Sequence, residues 1–429
     1  MIRPRTTAIV RDSIRSVTAV SRPRVVGSIS LGHGANEFFS VALPPIIPLL
    51  VSDLGISYAQ AGLLLTVFFA MYSVFQLPAG VLADRIGKKR LLVAGLGGMS
   101  GAIALAATAG SYETLLFAQV VAGISGSTFH PTGMSLISDV ETSNTEGKAM
   151  GVFGFGGMVG TMASPVLIGG LAVVAGWRIA LGVAALLGIV VTLVFIPLFS
   201  EPEGDTSAEA GVSPRSDGGR FSLRSPLRSA MELLNVPLTR GIVVLFCVTV
   251  LISLQSRAIQ TFTTAYIADG TGGSASVGNL GFFALLVGGS LSSLWAGSLS
   301  DRFDRGSLGV VAALGTALLV GATLFVTRLP ASVPSELLVA FLAVWFFVIG
   351  AVMYACVPVK NALISEQAER DFSGSLFGVI QTASAVGSAS GPAVFGVLAT
   401  DWGIAAAYPA IAAVSLTLAG LFFVLSRFA

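Results

Sequence analysis

The sequence predicts an all-α polytopic membrane protein whose twelve transmembrane helices form two pseudo-symmetric six-helix bundles. Of its 429 residues, 54% are hydrophobic and only 11% are charged. Twelve apolar segments are each long enough to cross a bilayer, and motifs of the first half recur in the second. A soluble domain carries about 25% charged residues. The composition therefore excludes an ordinary soluble enzyme.

The apolar segments define the organisation of the chain, because a helix needs about 20 residues to cross the hydrocarbon layer. They lie at 25–51, 60–83, 91–110, 113–138, 147–175, 178–199, 240–266, 277–299, 307–327, 334–357, 373–399 and 402–426. One long polar stretch separates six segments from six. We therefore predict an N-terminal tail (1–24), an N-terminal bundle (25–199), a central loop (200–239) and a C-terminal bundle (240–426).

The positions of Lys and Arg predict the orientation in the membrane. If the segments alternate in direction, 21 of the 24 cations lie on the side of the two termini, Arg178 and Arg328 lie on the other side, and Arg257 lies inside a segment. Positive residues accumulate in cytoplasmic loops. We expect a multi-pass plasma-membrane protein with both termini and the central loop in the cytoplasm. The net charge of +2 gives no reason to expect a nucleic-acid partner.

Internal repeats support a duplicated architecture. The pattern Gly-x-Leu-x-Asp-Arg occurs at 80–85 and again at 297–302, and a Gly/Pro pattern at 160–169 recurs 227 positions later at 387–396. Small residues let membrane helices approach closely, and proline allows them to bend. The residues expected to serve such contact between helices 5 and 11 and their neighbours across the two halves are Gly160, Pro165, Gly391 and Pro392.

The run Gly-Val-Leu-Ala-Asp-Arg-Ile-Gly-Lys-Lys-Arg at 80–90 resembles the signature of the major facilitator superfamily for the loop between helices 2 and 3. The resemblance covers about residues 25–426. It implies two six-helix bundles around a central cavity that opens alternately to each side of the membrane. The function implied is secondary active transport of a small molecule by a protein that works as a monomer.

A narrower resemblance lies in helices 1 and 4. His33-Gly-Ala-Asn-Glu37 and the run from Gly123 to Pro131 are similar to the fosmidomycin-resistance group of drug/proton antiporters. Glu37 stands where that group usually has Asp, and Gln119 stands where many proton-coupled members have Arg. The resemblance implies proton-coupled efflux of a small drug-like or anionic compound.

Glu37 and Arg257 are ionisable groups inside predicted segments. Glu37 lies about 18 Å along helix 1, near the middle of the membrane. A buried carboxylate favours its protonated form unless it is paired, so Glu37 is a candidate for proton coupling. Arg257 follows it by 220 positions, close to the repeat spacing. We expect Arg257 either to pair with Glu37 or to receive an anionic group of the substrate; the alternative is a fixed structural ion pair.

His33 and His130 are the two histidines of the chain, and both are predicted at a similar depth. Together they would relay a proton or bind the substrate beside Asn36, although single buried histidines are more often packing residues. Two histidines without Cys ligands at metal-binding spacing do not indicate a metal site, and no cofactor is expected. Substrate binding and proton coupling are therefore assigned to His33, Asn36, Glu37, His130 and Arg257.

The charges at the cytoplasmic ends of helices 2 and 8 predict a gate. Carboxylates and cations there are too far from the membrane centre to contact the substrate, but they would pair across the seam between the halves in the outward-open state. The alternative is that the cations only set topology. The predicted gating residues are Gly80, Asp84, Arg85, Lys88, Asp301 and Arg302.

Other functions fit the sequence less well. No HExxH, Walker A or nucleophile-elbow motif is present, so an enzyme or an ATP-driven pump is not expected. A proton-coupled uptake symporter for a sugar, an organic acid or another metabolite is the main alternative to efflux. A membrane sensor with a transporter fold is a further alternative.

Overall fold

In a computed structural model the protein is described at residues 20–198, 239–270, 272, 275–326, 334–367 and 373–427. Within these ranges the secondary structure is helical, with no strand. Most of the predicted N-terminal tail and of the predicted central loop lie outside the described residues.

The helices follow the predicted segments in order. The first half contains α1 (Pro23–Ser40), a 3-10 turn (Pro44–Ile46), α2 (Ile47–Leu54), α3 (Tyr58–Ile86), α4 (Lys88–Ala107), α5 (Tyr112–Gly126), α6 (Phe129–Val140), α7 (Glu146–Ser164), a π-helical turn (Pro165–Gly169), α8 (Gly170–Ala175) and α9 (Trp177–Leu198). The second half contains α10 (Arg240–Gly270), α11 (Ala275–Ser300), α12 (Arg305–Val326), α13 (Ser335–Tyr354), α14 (Cys356–Gln367), α15 (Ser373–Trp402) and α16 (Ile404–Leu425).

Eleven helical spans of the described chain are long and apolar enough to cross a membrane. The twelfth crossing is the predicted segment 113–138, which is divided into α5 and α6 by a break at Ser127 and Thr128. Proline at 131 has no N–H for the carbonyl of residue 127, which favours an interruption of the helix here. The twelve predicted crossings and the all-α fold are thus confirmed.

A related break occurs in the second half. α13 ends at Tyr354 and α14 begins at Cys356, and Pro358 stands four residues after Tyr354. This arrangement repeats that of Ser127 and Pro131, 227 positions earlier. The two halves therefore interrupt the same helix at the same place.

The crossings alternate in direction and give the protein two faces. The terminal face holds the start of α1 and the end of α16, and the opposite face holds the turns that follow α2, α4 and α8. At the terminal face the Glu141 carboxylate accepts hydrogen bonds from the backbone N–H groups of Ser21 and Arg22, at 2.8 and 2.9 Å. At the opposite face Asp53 accepts hydrogen bonds from Trp177 and Arg178, at 3.0 and 2.6 Å.

The halves contact each other near the opposite face. The backbone N–H of Ala59 in α3 donates to Thr400 Oγ1 in α15 at 2.8 Å, and a Cβ added at Gly62 would collide with the carbonyl oxygen of Pro392. One apolar core is shared there by both halves. Toward the terminal face the core divides into one cluster around Phe129 and another around Phe422. The apolar core is therefore continuous between the halves near the opposite face and separate near the terminal face.

Candidate functional site

Glu37 lies between the two histidines of the chain. Its Oε1 is 3.3 Å from Nε2 of His130 in α6 and 3.7 Å from Nε2 of His33, one turn earlier in α1. The two imidazole centroids are 4.8 Å apart. The structure thus brings together three of the residues that the sequence singled out. A carboxylate in this setting has two groups that can share a proton with it.

The imidazole of His33 has a fixed orientation. Its Nδ1 is 2.8 Å from the carbonyl oxygen of Phe153, and its ring stacks on the Phe153 ring at 3.8 Å. A carbonyl only accepts hydrogen bonds, so Nδ1 carries a hydrogen and Nε2 is the position that gains or loses a proton. This Nε2 is buried without a hydrogen-bond partner. His33 is therefore held with its open nitrogen toward Glu37.

Glycine at 157 makes room for this ring. A Cβ added at Gly157 would lie 2.5 Å from Cε1 of His33. Phe153 and Gly157 are one turn apart in α7, so a single helix face supplies the ring contact, the carbonyl and the space. Neither Gly157 nor Phe153 was predicted to contact His33, since the space left by a glycine and a backbone acceptor have no signature in the sequence.

Asn36 points away from the space between the halves. It is 0% exposed, and its Nδ2 donates to the carbonyl oxygen of Gly126 at 3.0 Å and lies 3.2 Å from Sδ of Met99. The Tyr72 hydroxyl lies 3.5 Å from Oδ1 of Asn36. Of the five predicted site residues, Asn36 is thus the one with no exposed surface.

Arg257 lies in α10 of the second half of the protein and does not form an ion pair with Glu37. Its Nη1 donates to Oε1 of Gln260 at 2.8 Å, and its guanidinium lies 4.2 Å from the ring centroid of Phe69 in α3. Gln260 in turn donates to the hydroxyl of Tyr354. Among the described residues no carboxylate pairs with Arg257. Tyr354 was not predicted as a site residue; it is the last residue of α13, at the break before α14.

His33, Glu37 and His130 are also of the residue types that bind transition metals, and one ligand atom from each lies within 4.8 Å of the others. Zinc bonds of 2.0–2.1 Å place tetrahedral ligand atoms about 3.3 Å apart. The described arrangement is wider than such a site.

The predicted gating residues lie at the terminal face, outside the site. Asp84 and Arg85 at the end of α3 are exposed, as are Asp301 and Arg302 after α11. Lys88 donates to Ser135 at 2.7 Å and pairs with Asp139 of the same half. Gly80 lies beside Pro131. In this conformation the described contacts of Lys88 are with its own half, so pairing of the gate across the seam stays a prediction.

The predicted packing residues divide into two kinds. Gly160 lies against the backbone of Gly34, and Gly391 lies against that of Leu254, so both serve contacts within one half. The carbonyl of Pro392 meets Gly62 across the seam. Pro165 begins the π-helical turn, which packs against α11 of the other half. Close contact between the halves is therefore made at Pro392 and at the turn that begins with Pro165, and not at Gly160 or Gly391.

Comparison with known proteins establishes the family. The model of the Major Facilitator Superfamily matches residues 29–263 and again 245–428. The chain belongs to the Major Facilitator Superfamily. Its members are transporters with the two-bundle architecture described above, and the two consecutive matches agree with the internal repeat.

Curated relatives within the superfamily include multidrug resistance proteins. The chain is 26% identical over 392 residues to the multidrug resistance protein MdtG of Escherichia fergusonii, covering 88% of each chain. It is 26% identical over 389 residues to MdtG of Serratia proteamaculans, covering 88% of this chain and 87% of that one.

Solved structures of other superfamily proteins share the fold. A bacterial homologue of the human lysosomal transporter Spinster, in an inward-facing and unoccupied conformation, has a TM-score of 0.75 at 18% identity, with 95% of this chain and 97% of that one covered. The nucleoside transporter NupG has a TM-score of 0.74 at 12% identity, with coverages of 94% and 99%. Because the chain belongs to the Major Facilitator Superfamily, the protein is a secondary transporter embedded in a membrane by many helices.

Proposed function

We propose that the protein exports a small drug-like or anionic compound from the cytoplasm and drives this export by proton entry. The observation that carries the proposal is the position of Glu37, held between two imidazoles in the space between the halves. The names of the multidrug resistance relatives support the direction of transport. Transport, with no catalysed reaction, would be the sole activity, performed by a monomer.

The distribution of charge supports an orientation in the membrane. The terminal face corresponds to the side that holds 21 of the 24 cations, which supports a cytoplasmic position for both termini in the plasma membrane. The separate cores near this face then correspond to a cavity open to the cytoplasm. On this basis the structure represents the inward-open state, ready to exchange a proton for a substrate.

Exposure orders the proton-binding groups. The side chain of His130 is 37% exposed, that of Glu37 is 17% exposed and that of His33 is 6% exposed. A proton released to the cytoplasm would leave through His130, while His33 acts as the inner partner. Sharing a proton among the three groups avoids an isolated charge at the centre of the membrane, which is energetically costly.

The second half supplies the substrate contact. The guanidinium of Arg257 stacks on Phe69 with its face and uses one edge for Gln260, so N–H donors remain for an oxyanion. An anionic group bound there would neutralise a charge that no described carboxylate pairs. Substrate and proton would thus occupy facing halves of one cavity.

The gate would close after the halves rock. When the terminal face closes, Asp84, Arg85 and Lys88 would meet the second half near Asp301 and Arg302. The Lys88 pair with Asp139 would then exchange for a contact across the seam. In this proposal Gly80 lies beside Pro131, near the break between α5 and α6.

Drug sensitivity of cells tests the direction of transport. The chain and its Glu37→Gln variant would be expressed at equal membrane levels in a strain that lacks its own drug exporters. Export predicts that the unaltered chain raises the tolerated concentration of at least one anionic or amphiphilic drug and lowers its accumulation, and that Glu37→Gln does not. Higher accumulation in cells with the unaltered chain would contradict export and indicate uptake. Binding without movement in either direction would indicate a sensor.

A further inference from the structure

The break between α5 and α6, within the fourth membrane crossing, determines the position of the His130 side chain. α5 ends at Gly126, and α6 begins at Phe129 with His130 as its second residue. Because α6 is a separate helix, a small rotation of α6 relative to α5 would move the His130 imidazole relative to Glu37. Something must therefore fix this break if the distance of 3.3 Å between Nε2 of His130 and Oε1 of Glu37 is to be maintained.

The last carbonyl groups of a helix have no partner in the helix itself. At the end of α5 this need is met by Asn36, whose Nδ2 donates to the carbonyl oxygen of Gly126 at 3.0 Å. Asn36 is 0% exposed, and the Tyr72 hydroxyl approaches its Oδ1 from α3. One side chain thus joins α1 and α5 at the break, next to the hydroxyl that α3 supplies.

We propose that Asn36 is a positioning residue that fixes the break between α5 and α6 and so holds His130 against Glu37. Asn36 and Glu37 are neighbours in α1. The helix that carries the Glu37 carboxylate therefore also carries the amide that sets the position of His130. Asn36 does not contact the substrate, since it is fully enclosed by protein. The proposal rests on the proposed function only for the consequence that proton coupling depends on Asn36; the positioning itself does not.

The groups around His130 allow its ring-nitrogen NMR resonances to report the distance between His130 and Glu37. The titratable groups facing it are Glu37 and His33 from α1 and Tyr72 from α3, whose ring centroid is 6.1 Å away. Phe153 of α7 lies at 6.2 Å and carries no charge. The His130 resonances should therefore respond more strongly to a change in the distance from Glu37 than to any other charged group described.

Selective labelling of histidine isolates this site, because the full chain contains only two histidines. The intact protein, labelled with ¹⁵N-histidine in lipid nanodiscs, would be compared with the variants Asn36→Leu and Tyr72→Phe. Asn36→Leu keeps the size of the side chain and removes its hydrogen bonds. Tyr72→Phe removes only the hydroxyl near Asn36. Gln255→Leu, a buried amide of α10 that accepts a hydrogen bond from Ser415, is the matched control.

We expect Asn36→Leu to displace the ring-nitrogen resonances of His130 and their pH midpoint, while those of His33 stay in place through its contact with Phe153. Tyr72→Phe should cause a smaller displacement, and Gln255→Leu none. The transport rate should fall about tenfold in Asn36→Leu, with an altered pH profile. Unmoved His130 resonances in Asn36→Leu would overturn the proposal; if that variant does not fold, unmoved resonances in Tyr72→Phe would overturn it. Displaced resonances with unchanged transport would support positioning and contradict the proposed proton role of the pair.

Discussion

Nε2 of His130 lies 3.3 Å from Oε1 of Glu37, which places an imidazole of α6 in ion-pair contact with a carboxylate of α1. The contact crosses between two helices that belong to the same half. His130 is the most exposed of the three clustered groups. In the proposed function, a proton held here would be exchanged with the terminal side.

Gly157→Ala should disturb proton coupling through His33. The added Cβ would lie 2.5 Å from Cε1 of His33, and the ring cannot withdraw without losing its stack on Phe153. We expect the rate of proton-driven transport to fall about tenfold, which corresponds to about 1.4 kcal/mol. The control is Gly154→Ala in the same helix, where a Cβ would meet nothing within 4 Å. Equal loss in both variants would point to a general effect on α7 instead.

Gly62→Ala should destabilise the conformation described here. Its Cβ would collide with the backbone of α15 at Pro392, and backbone cannot move aside as a flexible side chain can. Overpacking of this kind costs about 1–3 kcal/mol, enough to shift a two-state population strongly.

Spin labels at Ser111 and Glu336 would measure this shift across the opposite face. Both positions are exposed, one in each half. We expect a longer distance population to grow in Gly62→Ala and not in Gly101→Ala, where a Cβ would meet nothing within 4 Å. An unchanged distance distribution in Gly62→Ala would mean that the contact with Pro392 does not hold the opposite face closed.

Arg257→Lys should separate charge from geometry in substrate binding. Lysine keeps the positive charge but loses the planar stack on Phe69 and the fork-shaped donor set that serves Gln260. For an anionic substrate we expect the KM to rise about tenfold in Arg257→Lys and more in Arg257→Ala, with little change for a neutral one. Transport of the anionic substrate at the unaltered KM in both variants would remove Arg257 from the substrate site.

Glu141→Gln should weaken the terminal face of the first half. Burial tends to raise the pKa of Glu141, but hydrogen bonds from the Thr145 hydroxyl and from the N–H groups of Ser21 and Arg22 outweigh it, so the pKa lies below its ordinary value of 4.5. These bonds hold the two residues that precede α1, and a hydrogen bond of this kind contributes about 1 kcal/mol.

The stabilisation by Glu141 should therefore depend on pH. Because the pKa is lowered by folding, the contribution is present above pH 4.5 and is lost as the pH falls through the folded-state pKa. Thermal unfolding followed by circular dichroism should show a lower Tm for Glu141→Gln at neutral pH and a smaller difference at acidic pH. A difference that grows on acidification would contradict this assignment.

Most of the fold could be predicted from the sequence, because a membrane-spanning helix needs a long apolar segment and leaves a clear pattern. The break between α5 and α6 was not predicted. Pro131 is visible in the sequence, but Pro78 and Pro392 lie inside continuous helices. A proline alone therefore does not decide whether a helix is interrupted. At the end of α5 the carbonyl of Gly126 is bound by Asn36, ninety positions away, and such a distant contact is not visible in the sequence.

The site could be predicted in part. Glu37 and His33 are one turn apart in α1, and the depth of His130 placed it nearby. The expected alternative of a Glu37–Arg257 pair is not adopted here, since the guanidinium lies over Phe69. Likewise the carbonyl of Phe153, which orients His33, belongs to the backbone and has no residue signature. Contacts between distant segments, rather than residue types, determine these details.

Proton movement in proteoliposomes tests the central claim most directly. The purified protein would be reconstituted with a pH-sensitive dye inside, and a transported drug would be added to one side. The account predicts drug-dependent proton movement by the unaltered protein, its loss in Glu37→Gln, and its retention in Glu113→Gln, which removes an exposed carboxylate at the start of α5. Drug-dependent proton movement of equal size in Glu37→Gln would contradict the account.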